Sequence, residues 1–167
     1  MTVAPPSTPS VYTIAVDKTR HEVYVLEETK DHYRIVKSYP ADFGRERGDK
    51  VVQGDLKTPE GMYYITTIKR EQELAAQYGP RAYVLNYPND VDRAQGKTGY
   101  GIWIHGSGIG SATRPSEGCV VVGDRDVAAL EQFTACASPS ILISRYSTPR
   151  ASSTRLAARQ SGHQSAE

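Results

Sequence analysis

Two residues in the stretch IWIHGSGIGSATRPSEGCVVVGD, residues 102 to 124, have the chemistry of a nucleophile and its base. Cys119 opens the apolar run Cys-Val-Val-Val, and His105 closes the run Gly-Ile-Trp-Ile-His upstream of it. A thiol that titrates near ~8.5 needs a basic neighbour to attack at neutral pH. Gly118 allows close backbone approach, and its amide together with that of Cys119 would make paired donors for an oxyanion. A buried thiol and a strand-end histidine are also ordinary packing residues, so the pair by itself leaves both readings open.

Other chemistries find less support. The four histidines, His21, His32, His105 and His163, are scattered, and neither a CxxC nor an HExxH motif occurs. A zinc site from His105, Cys119 and Cys136 is a minor option, and no metal or other cofactor is expected. GSGIGSA follows a strand, but a proline and Ser-Glu-Gly come after it where a phosphate loop would open a helix. With 20 basic and 19 acidic residues there is no electrostatic footprint for nucleic acid. No apolar run approaches the ~18 residues that would span a bilayer.

The elements that must hold this pair are mostly strands. VYTIAV, EVYVLE, YRIVKSYP, MYYITTI, GIWIH, CVVVG and ILISR are short and rich in Val, Ile and Tyr, with turn-forming residues between them. Two helices are expected, a short one over REQELAAQY and another over DRDVAALEQFTAC. In the second, Asp124 suits the cap, Asp126 the first turn, and Val127, Leu130 and Phe133 form one apolar side. The pattern predicts a mainly β domain, a mostly antiparallel sandwich or barrel with one packed helix. His105 and Cys119 would meet across a hairpin-like unit. Residues 1–10 read as a flexible leader, residues 11–146 as the folded domain, and residues 147–167 as a disordered or weakly helical tail.

Four blocks, in order, resemble the catalytic domain of the L,D-transpeptidases, peptidoglycan enzymes with a cysteine nucleophile. They are VDKTRHEVYVLEE, GDKVVQGDLKTPEGMYYIT, LNYPNDVDRAQGKTGYGIWIHGSG and RPSEGCVVVGDRDVAAL. The resemblance implies a β-sandwich-like fold with Cys119 as nucleophile and His105 as base. It further implies that the Gly106 carbonyl orients the imidazole and that the Gly118 and Cys119 amides hold the oxyanion. Ser116 and Glu117 would then contact substrate. Two positions depart from the family's common Ser-His-Gly-Cys motif and its following arginine. Glu117 stands where the histidine is usual, and Val121 where the arginine is usual. Arg114 is a candidate substitute clamp for a substrate carboxylate, since a guanidinium suits that role; the alternative is a solvated loop arginine.

The activity so implied is acyl transfer from a peptidoglycan tetrapeptide stem, with release of the terminal D-residue. An amine acceptor makes a transpeptidase, water makes an L,D-carboxypeptidase, and a third reading is an inactive wall-binding module. Peptidoglycan lies outside the cytoplasm, so a periplasmic or extracytoplasmic location is expected. MTVAPPSTPS lacks the basic start and apolar core of a secretory signal, which implies one already removed. A working thiol would stay unpaired, with Cys136 a packed residue and no Cys119–Cys136 bond. If residues 117–121 are extended, Glu117 and Cys119 share a side. A carboxylate ~6 Å from a thiolate at an effective dielectric of ~20 disfavours it by about 3 kcal/mol before solvent reduces the effect.

Overall fold

β-Branched and aromatic residues fit the pleated, half-buried surface of a sheet, and here they build eight strands. The computed structural model describes residues 10–108, 115–135 and 139–145. In chain order the strands are β1 (Val11–Asp17), β2 (Glu22–Glu28), β3 (Tyr33–Asp42), β4 (Gly61–Arg70), β5 (Arg81–Leu85), β6 (Trp103–Gly106), β7 (Val120–Val122) and β8 (Ser140–Ser144). Three short helices join them: α1 (Asp90–Ala94), α2 (Asp124–Ala129) and α3 (Glu131–Thr134).

The strands close into a barrel in the order β1-β2-β3-β7-β6-β5-β4-β8. The mainly β fold expected from the sequence is therefore a closed barrel rather than a sandwich of two open sheets. Closure leaves no free sheet edge. Most pairs are antiparallel, but β1 with β8 and β6 with β7 run parallel. His105 and Cys119 are thus not joined across a hairpin, because parallel neighbours need a crossover rather than a tight turn.

Alternation sets the core. On β4, Tyr63 and Ile65 are buried, whereas Met62 and Tyr64 between them are each 57% exposed. Ile14 and Val16, Val23 and Val25, Ile104, Val120 and Val122, and Ile141 and Ile143 join them in one apolar cluster. Each such side chain contributes about 1.5–3 kcal/mol of transfer free energy. α2 packs across β5 and β6, burying Val127 and Leu130 completely. The hydroxyl of Tyr83 donates to the Val127 carbonyl at 3.0 Å, and burial pushes that phenol up to about 12.

The helices differ from expectation in three ways. REQELAAQY forms two 3₁₀ turns, Glu71–Glu73 and Ala76–Tyr78, because Leu74 between them is extended and neither turn buries a residue. The segment after Cys119 divides into α2 and α3 at Leu130. The N-cap of α2 is Gly123, and Asp124 is its first helical residue. The Asp124 carboxylate reaches away from the helix to accept the Gly108 amide at 2.9 Å. Residues 1–9 of the leader expected at 1–10, and the tail at residues 147–167, lie outside the described residues.

The loop between β3 and β4 has few apolar residues and is held by buried charge. Lys18 Nζ donates to the Gly48 and Thr58 carbonyls, both at 2.6 Å. Lys97 Nζ bridges Asp49 and Asp92 at 2.7 and 3.0 Å. Lys50, only 3% exposed, pairs with Asp55 at 2.8 Å. Burial alone would push the Asp55 carboxyl up. The Lys50 bond and the Val51, Val52 and Lys57 amides outweigh it and hold the carboxyl well below the usual carboxylate range. A depressed folded-state pKa contributes stability that is present above the unfolded value, ~3.9, and is lost as pH falls below it. Asp55→Asn is therefore expected to cost about 1.5–3 kcal/mol near neutral pH. In urea melts repeated at falling pH, the gap from wild type should narrow below about pH 4. A gap that stays constant with pH would show that the Asp55 charge does not hold this loop.

Candidate active site

The parallel register of β6 on β7 sets Ile104 opposite Val120, His105 opposite Val121 and Gly106 opposite Val122. Successive side chains alternate between faces. Ile104, Val120 and Val122 enter the core, while Trp103, His105, Cys119 and Val121 line a cleft of about 880 Å³. His105 and Cys119 are diagonal neighbours across the two strands. Such positions lie roughly 7–8 Å apart at the backbone, within reach of an aromatic side chain. The sequence-predicted pair is thus brought into one cavity.

His105 is buried, and its Nδ1 lies 2.6 Å from the Gly106 carbonyl. A carbonyl oxygen only accepts, so Nδ1 carries the hydrogen, and in the neutral ring Nε2 holds the lone pair. The Tyr78 ring stands at 89° to the imidazole with centroids 5.1 Å apart. The Nδ1 hydrogen bond and the aromatic contact with Tyr78 both hold the ring. Gly106 stands where the resemblance places it, with its carbonyl on the imidazole.

Cys119 is a free, half-buried thiol whose sulfur lies 3.4 Å from the Gly101 carbonyl. Burial pushes it above the ordinary thiol range; the Trp103 backbone N–H and the Lys50 charge draw it down, and Glu117 adds a smaller upward push. Burial is the largest of these effects, and the balance lies above the ordinary thiol value. Glu117 is exposed at the rim and lines the same cleft as Cys119.

The turn before Cys119 is tied by Ser116. Its hydroxyl donates to the Cys119 carbonyl at 2.6 Å and accepts the Gly118 amide at 3.0 Å. The Gly118 amide, expected as an oxyanion donor, is thus engaged by Ser116. Ser116, expected at the substrate, directs its hydroxyl to the backbone. Gly118 has φ +139°, and a Cβ there would stand 2.8 Å from the Lys57 carbonyl, so only glycine fits. Arg114 and Cys136 lie outside the described residues.

Several cleft residues were not singled out in the sequence: Lys50, Tyr78, Trp103 and Arg45. Lys50 lies inside GDKVVQGDLKTPEG, one of the blocks that carry the family resemblance, so its signal was present there. Tyr78 had none, because it sits on a turn read as a helix.

This electrostatic balance predicts how Cys119 alkylates with a neutral haloacetamide. The rate should rise through a midpoint above that of an ordinary cysteine. Lys50→Met removes a favourable cation and moves the midpoint to higher pH, while Glu117→Gln removes an unfavourable anion and moves it lower. Profiles unchanged by both substitutions would remove these charges from the thiol's surroundings.

Similarity to known proteins agrees with this geometry. The family described as L,D-transpeptidase catalytic domain, YkuD, matches residues 11–141. YafK of Escherichia coli (strain K12) is 30% identical over 138 residues, covering 80% of this chain and 52% of YafK. The structure of Bd1075 from Bdellovibrio bacteriovorus superposes with a TM-score of 0.70 at 34% identity, over 82% of this chain and 49% of that one. The helical cell shape determining protein Pgp2 from Campylobacter jejuni gives a TM-score of 0.74 at 27% identity, over 83% and 49% of the two chains. The chain thus spans about half the length of the relatives it matches. Among the described residues, no helix is long and apolar enough to cross a membrane. With this match running through the strands that carry His105 and Cys119, the chain belongs to the L,D-transpeptidase catalytic-domain family.

Proposed function

We propose that this domain transfers the acyl group of a peptidoglycan tetrapeptide stem through a thioester on Cys119, outside the cytoplasm. The observation that carries the reading is the fixed imidazole. Nδ1 of His105 is held on Gly106, which leaves Nε2 as the base, in the cleft that also receives the Cys119 sulfur.

His105 Nε2 takes the proton from Sγ as the sulfur attacks the carbonyl carbon of the stem's L,D bond. The Cys119 amide is the assigned donor to the resulting oxyanion. Gly118, whose amide is held by Ser116, serves by shaping the turn. When the tetrahedral intermediate collapses, the C–N bond breaks, and the imidazolium gives its proton to the departing amine of the terminal D-residue. An acceptor amine then attacks the thioester, transfers its proton to the imidazole and regenerates the thiol. Water in place of the amine would release the shortened stem as a free acid. The raised thiol pKa fits a proton removed in step with attack rather than a standing thiolate.

The test is incubation with disaccharide-tetrapeptide and an amine acceptor, with the products weighed by mass spectrometry. Wild type should yield the D-residue and an acceptor-linked product. Cys119→Ala should yield neither. His105→Ala should slow release by about 10²–10⁴-fold, the usual worth of a general base. A free tripeptide stem as the only product would replace the amine by water. Release by Cys119→Ala at the wild-type rate would refute the nucleophile assignment.

A further inference from the structure

Three segments converge behind the imidazole. Asp124 Oδ1 accepts the Gly108 amide at 2.9 Å. The same oxygen fills the space where side chains at Gly79 and Gly106 would stand, 2.4 Å from the Cβ position of each. A Cβ on Gly108, at φ +71°, would lie 2.3 Å from the Ala76 carbonyl, and one on Gly79, at φ +69°, 2.9 Å from the Gly106 Cα. The second 3₁₀ turn, the end of β6 and the loop after it therefore meet at glycine backbone around one carboxylate oxygen.

Two contacts of the His105 ring leave this junction. Gly106 supplies the carbonyl that holds Nδ1. Tyr78, directly before Gly79, supplies the perpendicular aromatic contact with the ring. Asp124 is an acidic residue in the first turn of α2, where the helix dipole favours it, but its Oδ1 is engaged by the Gly108 amide, and no ion pair to it occurs among the described residues. The same oxygen thus bonds one of the three segments and packs against the glycine backbone of the other two.

We propose that Asp124 is a positioning residue for the general base. Through Oδ1 it pins residues 106–108 against the 76–79 turn, and so fixes the His105 ring with the hydrogen on Nδ1 and the lone pair on Nε2. The proposal rests on His105 being the base, but ring geometry can be read without any peptidoglycan substrate.

The test uses Asp124→Ala, Asp124→Ser and Asp124→Asn. Serine is well tolerated at a helix start but is too short to reach Gly108, which keeps the test open if the alanine variant does not fold. Asparagine keeps the oxygen acceptor and removes the charge. The first readout is 15N NMR of the labelled histidine ring at a pH where it is neutral, with His105→Ala used for assignment. Wild type and Asp124→Asn should show protonated Nδ1 and bare Nε2, while the Ala and Ser variants should show a mixture of tautomers. The second readout is turnover of disaccharide-tetrapeptide. The Ala and Ser variants should lose kcat by on the order of 10²-fold, the cost of a small misplacement of a reacting group, with KM little changed, and Asp124→Asn should recover most of it. Wild-type ring signals in a folded Ala or Ser variant would overturn the proposal, as would an Asp124→Asn variant as impaired as Asp124→Ser. If the tautomers shift as expected but wild type does not turn over the stem, the positioning role stands and the substrate assignment fails.

Discussion

The site depends on the register of two parallel strands. With His105 opposite Val121 on β7, the two-residue alternation sends His105 and Cys119 into the cleft and Ile104 and Val120 into the core. A slip of one residue would invert this, exposing two aliphatic side chains and burying the histidine in the apolar cluster. The core thus fixes the geometry of the proposed pair. Ile104, Val120 and Val122 are completely buried, and the free energy that holds them there, about 1.5–3 kcal/mol each, resists the slip. Pre-organisation of the proposed nucleophile and base follows from packing on the opposite face of the same two strands.

The cleft wall obeys a different economy. The β3–β4 loop has little apolar surface to bury and is organised around Lys18, Lys50 and Lys97, each donating to carbonyls or carboxylates. Breaking a buried pair of this kind is costly, because one charge is left without a partner. Lys50 serves both fold and site, since it ties Asp55 into the loop and its charge also reaches Cys119. Even so, burial of the sulfur outweighs Lys50 and the Trp103 amide. The proposed reaction, in which His105 takes the proton as the sulfur attacks, fits that balance.

Much of this was legible in the sequence where short-range patterns dominate. β1, β2, β3, β4 and β8 follow from their Val, Ile and Tyr runs, and Val127 and Leu130 from helical spacing. What escaped depends on long-range closure. β5, over RAYVL, sits between Gly-Pro and Asn-Tyr-Pro, and its short run becomes a strand through pairing with β4 and β6. The sequence shows two apolar runs near one another but not that they pair in parallel, so the hairpin expectation was natural and incorrect. Asp124 has the type and place of a helix cap; its actual partner, Gly108, belongs to a loop that reaches it only once the barrel is formed. The family resemblance singled out His105, Gly106 and Cys119 as candidates in the sequence. The engagement of the Gly118 amide by Ser116 needed coordinates.

The central claim is that Cys119 carries the acyl group, and trapping that intermediate tests it most directly. The protein would be mixed briefly with disaccharide-tetrapeptide without acceptor, quenched in acid and weighed intact, then digested. The account predicts an added mass equal to the substrate less its terminal D-residue, on the peptide containing Cys119, and no such species in His105→Ala on the same timescale. An adduct on another residue, or release of the D-residue with full activity in Cys119→Ala, would contradict it.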